Sequence, residues 1–213
     1  MVDSTGTCYE EYVQDASRHY KIWIKKTAHF SWPIEAVSIE KEETSPKCSE
    51  PSFLCRSGSR ESREGQCNDS GISEESFYEG PLLKLLFSHV RNMAQQSCEI
   101  NLAVIAILSK LAFLPHPYLH EILLNPEIPV AHGASTLWSS MQVLSKHLLL
   151  EIPKRENFQK RIGEIGKRLL SNPPVLCDNC DEFEPLFEAI VVLEEFCKEL
   201  AAIAFVKYHH ATE

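Results

Sequence analysis

The sequence predicts an all-α protein, in which antiparallel helices stack as a helical bundle or as a fragment of an α-solenoid, with a long disordered linker. Apolar residues recur at steps of three and four along most of the chain, which is the spacing of one helical face. Prolines separate these segments, as is typical of helix ends. No alternating strand pattern or hairpin turn signal occurs. The 213 residues, 44% of them apolar, can bury one good core.

Charge and cysteine content narrow the class of function. The formal net charge of -9 argues against nucleic acid as the main partner, because phosphate binding usually needs a basic excess. The first residues are polar and lack the apolar core of a secretory signal. The eight cysteines are scattered, which favours a reducing cytoplasm. The most apolar run, residues 100–114, contains Lys110 and stops at Pro115, so it predicts a buried helix and no membrane span.

Composition divides the chain into three predicted regions. Residues 1–36 form an amphipathic aromatic helix segment, residues 37–76 a disordered linker and residues 77–213 a C-terminal all-helical domain. The linker is rich in Ser, Glu and Arg, and its few large apolar residues cannot offset the entropy lost on ordering. The aromatic face of the first region predicts helix packing or, alternatively, a groove for a partner. That face consists of Tyr9, Val13, Ala16, Tyr20 and Trp23 or Ile24.

The C-terminal domain contains a succession of short helices with clear start and stop signals. Pro81 suits the beginning of a helix, and Ser135 suits the capping position of another. Residues 100–113 are apolar nearly all round, which predicts a central position. The remaining helices are predicted at residues 118–124, around residues 137–148, at residues 158–169 and at residues 183–208.

The last of these helices is the element around which the domain is predicted to be organised. Its apolar face consists of Phe187, Ile190, Leu193, Cys197, Leu200 and Ala204, widened by Val191, Phe196 and Ile203. Its charged side consists of Glu194, Glu195, Lys198 and Glu199, with Glu194 four residues before Lys198 in the favourable orientation. These four residues are the candidate partner-binding site, and the alternative is a solvated helix face.

Three other groups of residues are weaker candidates for a functional site. Cys177 and Cys180 have the spacing of half a zinc site, with Cys197, His209 and His210 as the nearby additional ligands. The histidines His116, His120 and His132 suggest surface or capping roles more than a metal or a general base. A basic side on one helix suggests either a solvated face or a docking surface for an acidic partner. It consists of Lys154, Arg155, Lys160, Arg161, Lys167 and Arg168.

The chain contains no nucleophile elbow, phosphate-binding glycine loop or paired-carboxylate cleft in its sequence. The residues therefore predict a non-enzymatic helical interaction module, with no cofactor and no resident metal. The alternative from another class is a small thiol- or zinc-dependent protein that uses the pair formed by Cys177 and Cys180.

Several stretches resemble the FTS- and Hook-interacting proteins (the FHIP family), also called the retinoic-acid-induced-16-like family. The longest is VLEEFCKELAAIAFVK at residues 192–207, which resembles the C-terminal motif of that family. Residues 77–81 (FYEGP), residues 101–111 and the run PHPYLHE at residues 115–121 resemble it too. The details look closest to the second branch of the family.

The resemblance implies a cytoplasmic adaptor, peripheral on vesicles through its partners. Such a protein is a subunit of the complex of FTS (Akt-interacting protein), Hook and FHIP, and links Rab-marked vesicles to Hook and dynein for transport along microtubules. The implied partners are thus Hook proteins, FTS and a Rab GTPase, and the family has no catalytic residues to transfer. Because members are much longer, this chain is expected to be a C-terminal portion.

Overall fold

Helices make up nearly all of the described secondary structure. The computed structural model describes residues 8–31, 77–171 and 184–212. The α-helices in these ranges are α1 (Tyr9–Thr27), α2 (Gly80–Arg91), α3 (Cys98–Phe113), α4 (Pro117–Leu124), α5 (Leu137–Glu151), α6 (Phe158–Leu169) and α7 (Glu184–Thr212). Short 3-10 turns follow α2 at Met93–Gln95 and α5 at Ile152–Lys154. Within these ranges the only β-type pairing is an isolated bridge between Phe77 and Val130, so the predicted all-α fold is confirmed.

Helix α7 is the element against which most of the others pack. It contacts α1, α3, α6 and the 3-10 turn that follows α2. Phe187, Phe196 and Ile203 are fully buried along it, and Leu200 is 2% exposed. An isolated helix with so much apolar surface is unstable in water, and removal of that surface from water is what holds the helices together. The organising role predicted for this helix therefore agrees with its packing.

The predicted apolar face of α7 is not buried along its whole length. Cys197 is exposed, and Ala204 is only half-buried. The spacing of three and four residues places Cys197 and Ala204 on the same helical face as Leu193 and Leu200. At these two positions, however, the helices that pack on α7 contact other faces of it. The prediction that Cys197 belongs to the core is wrong for this reason.

Helix α3 is covered on one side only. Val104, Leu108 and Ala112 are buried, whereas Ile100 and Ile107 are more than two-fifths exposed. The prediction of a central helix is therefore only partly right, because an all-apolar helix can carry some of its surface in solvent. On the buried side, the Asn101 amide donates to the Met93 carbonyl at 2.9 Å and satisfies a buried polar group at the join of α2 and α3.

The N-cap of helix α5 lies one residue later than predicted. Thr136, not Ser135, is the N-cap, and its hydroxyl accepts the backbone N–H of Ser139 at 2.9 Å. The Ser139 hydroxyl in turn accepts the backbone N–H of Thr136 at 3.0 Å, which completes a capping box. Ser135 instead donates its backbone N–H to the buried Glu79 carboxylate at 3.2 Å, which ties the start of α5 to the start of α2.

Helix α1 packs on the C-terminal helices, mainly on α7 and also on α3. Its buried residues are Ala16, Tyr20 and Thr27, while Tyr9 is exposed. The predicted aromatic face therefore packs through its middle and not through its first turn. The predicted linker, residues 37–76, lies outside the described residues. Among the residues that are described, no helix is long and apolar enough to cross a membrane.

Candidate partner-binding surface

Three of the four charged residues predicted on α7 form one ion cluster. The Lys198 ammonium lies 2.9 Å from a Glu194 carboxylate oxygen and 2.8 Å from a Glu195 carboxylate oxygen. Both pairs follow from helix geometry, since side chains three and four residues apart are neighbours on the helix surface. Burial lowers the pKa of Lys198, but the hydrogen bonds and charges of Glu195 and Glu194 outweigh this, so the pKa is raised and the charged form is held.

The members of this cluster differ in their access to solvent. The Glu194 side chain is 63% exposed, whereas those of Lys198 and Glu195 are 29% and 18% exposed. Glu194 is therefore the carboxylate that presents the cluster to solvent, and the other two side chains are held in place beneath it. The predicted alternative of a solvated face describes Glu194 only.

Glu199, the fourth predicted residue, lies apart from the cluster and points into a cleft between α1, α3 and α7. Its carboxylate accepts a hydrogen bond from the Ser109 hydroxyl at 2.8 Å. Burial raises the pKa of Glu199; the hydrogen bond from Ser109 and the charge of His19 oppose the shift, and the charge of Asp15 adds to it. Sequence spacing could not separate Glu199 from the other three, because the separation depends on where α1 lies.

The cleft beside Glu199 has a volume of about 510 Å³. Its walls combine aromatic and aliphatic side chains of α1 with charged ones from α1, α3 and α7. Trp23 of the predicted aromatic face lines it together with Tyr12, and the Lys26 ammonium lies 5.5 Å from the centre of the Trp23 ring. Part of the aromatic face thus packs on the core and part lines an open cleft, and the binding of a partner there stays a prediction.

A buried lysine that the sequence did not indicate fixes the end of α3. The Lys207 ammonium donates hydrogen bonds to the carbonyl oxygens of Ala112 and Leu114, both at 2.8 Å. The last carbonyls of a helix lack partners within the helix, and a cation there also opposes the negative end of the helix dipole. Burial lowers the pKa of Lys207 to about 8. The Tyr20 ring of α1 lies 5.9 Å from the same ammonium.

His116, which precedes α4, and His120, in the first turn of α4, both lie within the electrostatic influence of Lys207. Burial lowers the pKa of His116 and of His120, and the positive charge of Lys207 lowers both further. Both effects favour the neutral form of the two imidazoles. No group of three or more metal-ligating side chains occurs in the described ranges. Cys177 and Cys180 lie outside those ranges, so the zinc alternative stays a prediction.

The predicted basic side of α6 is not one continuous surface. Arg168 is turned inward and binds the buried Glu188 of α7 at 2.6 Å. The Arg161 guanidinium lies 5.2 Å from the centre of the Phe187 ring. Lys160 is exposed and lies 3.7 Å from Glu164. The prediction of six residues on one helix is wrong for Lys154 and Arg155, which precede α6, and the single docking face is wrong for Arg168, because its partner comes from another helix.

An apolar groove that the sequence analysis missed lies between α5, α6 and α7. The groove, which we call the α5–α6 groove, has a volume of about 410 Å³ and an almost wholly apolar lining. Asn157, the N-cap of α6, adopts a left-handed backbone conformation at φ 53° between the 3-10 turn and the helix. Side chains that line the groove include Leu149, Ile152, Phe158, Ile162, Ile190 and Leu193. The run of three leucines at 148–150 was the available signal, since one helix cannot bury all three on a single face.

Two family models match the C-terminal part of the chain. A family of unknown function, DUF5917, matches residues 79–172, which span α2 to α6. The KELAA motif matches residues 182–212, which span α7 and carry the ion cluster. The two matches are separated by residues 173–181, and together they cover the described helices other than α1.

Curated relatives carry the FHIP family name. A protein of Culex quinquefasciatus is 28% identical over 93 residues, which is 41% of this chain and 9% of the relative. One of Aedes aegypti is 28% identical over 90 residues, 40% of this chain and 9% of the relative. One of Nematostella vectensis is 38% identical over 66 residues, 31% of this chain and 7% of the relative. The matched segments thus span less than a tenth of those relatives. The predicted resemblance to the FHIP family is therefore confirmed, because the curated proteins that this chain is similar to carry that family name.

Proposed function

We propose that this chain is a non-enzymatic helical scaffold segment that binds protein partners in the manner of an FHIP subunit. The proposed partners are a Hook protein and FTS, in an assembly that links Rab-marked vesicles to dynein. Family membership and the all-helical architecture support this reading. The central point of the proposal is that this chain itself binds partners. The segments that match the relatives span only 7–9% of their length, so partner binding by a whole relative does not by itself assign binding to this chain.

The ion cluster on α7 is the observation that carries the proposal. It lies inside the segment that matches the KELAA motif, and its charges are held in place before any partner arrives. An exposed ion pair contributes little to stability, at most about 1 kcal/mol. Fixed charges reduce the entropy lost on binding, and charge complementarity speeds association and selects the partner. Glu194 is the member that solvent reaches, so it is the proposed point of contact.

A capture experiment with one reversed charge tests the proposal. The full chain, immobilised, is mixed with purified Hook and FTS, and the bound fraction is measured at several salt concentrations. We expect Glu194→Lys to reduce capture most strongly at low salt, because a reversed rim charge acts mainly on association. Glu127→Lys is the matched control, since Glu127 is an exposed carboxylate on the loop that follows α4. Equal capture by both variants and the parent chain would contradict the proposal, as would complete absence of capture by the parent.

A further inference from the structure

The α5–α6 groove exposes apolar surface that no described element covers. Leu149 at its mouth is 72% exposed, while Leu148 at its floor is buried. Phe158 and Ile162 from α6 and Ile190 from α7 are half-buried and form its walls. A large exposed leucine beside an apolar trough is costly in water, and such patches mark sites of interaction.

The segment that builds the α5 and α6 walls of the groove is opposite in net charge to the chain as a whole. Residues 146–171, which supply the 3-10 turn, α6 and the end of α5, contain seven lysines and arginines against three glutamates. The whole chain contains 21 basic residues against 30 acidic ones. Of the seven, Arg168 is turned inward to Glu188, and the other six place basic charge along the segment that builds the α5 and α6 walls. An acidic partner is drawn to this part of an otherwise acidic molecule.

Part of this basic charge is available to a partner. Lys146 is exposed one helical turn before Leu149 and Leu150, and no ion pair with it occurs in the described residues. Lys154 is exposed as well, and it shares the Glu151 carboxylate with Arg155 at 2.8 and 3.8 Å. An incoming carboxylate can add to this arrangement without breaking a buried pair.

We propose that the α5–α6 groove binds an acidic amphipathic helix of a partner protein, with its apolar face on Leu149, Phe158 and Ile162. A trough between helices suits a helix whose apolar residues recur at three and four positions. A second copy of this chain fits less well, because its own Lys146 and Lys154 would face their counterparts. A membrane surface also fits less well, since a concave trough keeps its apolar floor out of reach of a flat bilayer. The proposal concerns a site separate from the ion cluster, so it stands even if Glu194 binds nothing.

The test measures binding of a designed peptide to the full chain by fluorescence anisotropy. The probe is a labelled helical peptide with leucines at positions i, i+3, i+4 and i+7 and glutamates on its other side. A peptide with lysines in place of the glutamates and a scrambled acidic peptide serve as matched probes. We expect the acidic helix to bind and both matched probes to bind at least about tenfold more weakly.

Variants of exposed residues locate the site without unfolding the protein. We expect Leu149→Glu to weaken binding roughly tenfold or more, because an anchor side chain is lost and a like charge is added. Lys146→Glu should weaken it roughly threefold at low salt and less at high salt. Leu82→Glu and Lys84→Glu are the controls, since both side chains are exposed on α2 and neither lines the groove. Thermal melts of all variants should match the parent.

Three outcomes would overturn the proposal. One is equal binding of the acidic, basic and scrambled peptides. Another is binding of vesicles of anionic lipid that depends on Leu149 while the acidic peptide does not bind. The third is a dimer of the parent chain, seen by light scattering, that Leu149→Glu converts to a monomer. Loss of Hook and FTS capture with intact peptide binding would leave this site standing and refute only the proposed function.

Discussion

Lys207, near the end of α7, donates a hydrogen bond from its ammonium to the carbonyl oxygen of Ala112, at the end of α3, over 2.8 Å. The two residues are 95 positions apart in the chain. Lys207 is 6% exposed, so this contact places a positive charge inside the protein where three helices meet. Burial of a charge is costly, and the two carbonyls and the nearby Tyr20 ring offset part of that cost.

The buried position of Lys207 predicts an unusual dependence of stability on pH. Burial lowers the pKa of Lys207 to about 8, from an ordinary value of 10.5. Between these values the unfolded chain keeps a proton that the folded chain has released, so raising the pH favours the folded state. Compared with Lys207→Met, the parent should gain stability between pH 7 and pH 9.5, by at most about 1.4 kcal/mol per pH unit. Urea unfolding at both pH values measures this.

A matched surface lysine provides the control for that measurement. Lys84→Met removes an exposed lysine from α2 and should leave the pH dependence of stability unchanged. If Lys207→Met shows the same pH dependence as the parent chain, the Lys207 amine is not perturbed in the way its burial indicates.

Truncation of Leu200 tests whether the apolar face of α7 is part of the hydrophobic core. Leu200 is 2% exposed, and we expect Leu200→Ala to cost about 2–5 kcal/mol of unfolding free energy, since it leaves a cavity. Phe205→Ala is the control on the same helix, because Phe205 is 48% exposed and should cost much less. Chemical denaturation of both variants gives the two values. A neutral Leu200→Ala would mean that α7 does not organise the fold.

Neutralisation of Glu199 should stabilise the protein at neutral pH. Burial raises the pKa of this carboxyl, so the folded state favours its protonated form. The stability that the protonated form contributes is lost as the pH rises from the ordinary pKa of a glutamate through the raised pKa of the folded state. Glu199→Gln keeps an acceptor for Ser109 and removes the buried charge. We expect a gain of about 1 kcal/mol or less at pH 7 and no gain at pH 4, measured by urea unfolding. A loss of stability at pH 7 would show that the charge is needed.

Removal of one partner of the Arg168–Glu188 ion pair should destabilise the protein more than replacement of both partners. The side chains of Arg168 and Glu188 are 18% and 7% exposed. Glu188→Ala leaves the largely buried Arg168 guanidinium without this carboxylate and should cost about 3–5 kcal/mol of unfolding free energy. Replacement of both residues, as Arg168→Met with Glu188→Leu, should recover most of that loss. Glu164→Ala, which breaks the exposed pair with Lys160, should cost less than about 1 kcal/mol. Thermal and chemical unfolding of the set tests the order.

Local features of the site were predictable, and long-range ones were not. The pairing of Lys198 with Glu194 and Glu195 follows from positions three and four apart on one helix. The inward turn of Glu199 depends on α1, which is more than 170 residues earlier in the chain. Likewise, nothing near Arg168 in the sequence indicates that Glu188 on the next helix will bind it.

The sequence by itself determined that the chain is helical, where most helices begin and end, and that α7 carries the main apolar surface. These properties depend on the spacing of apolar residues, on prolines and on caps, all of which act within one helix. Only the tertiary structure decided which parts of each apolar face are covered, such as the burial of Leu200 beside the exposure of Cys197. It also decided that Lys207 is buried and that the α5–α6 groove is open. Periodicity indicates that a helical face is apolar. Whether that face is buried depends on which other helix packs against it, and contacts between residues far apart in the chain determine that packing.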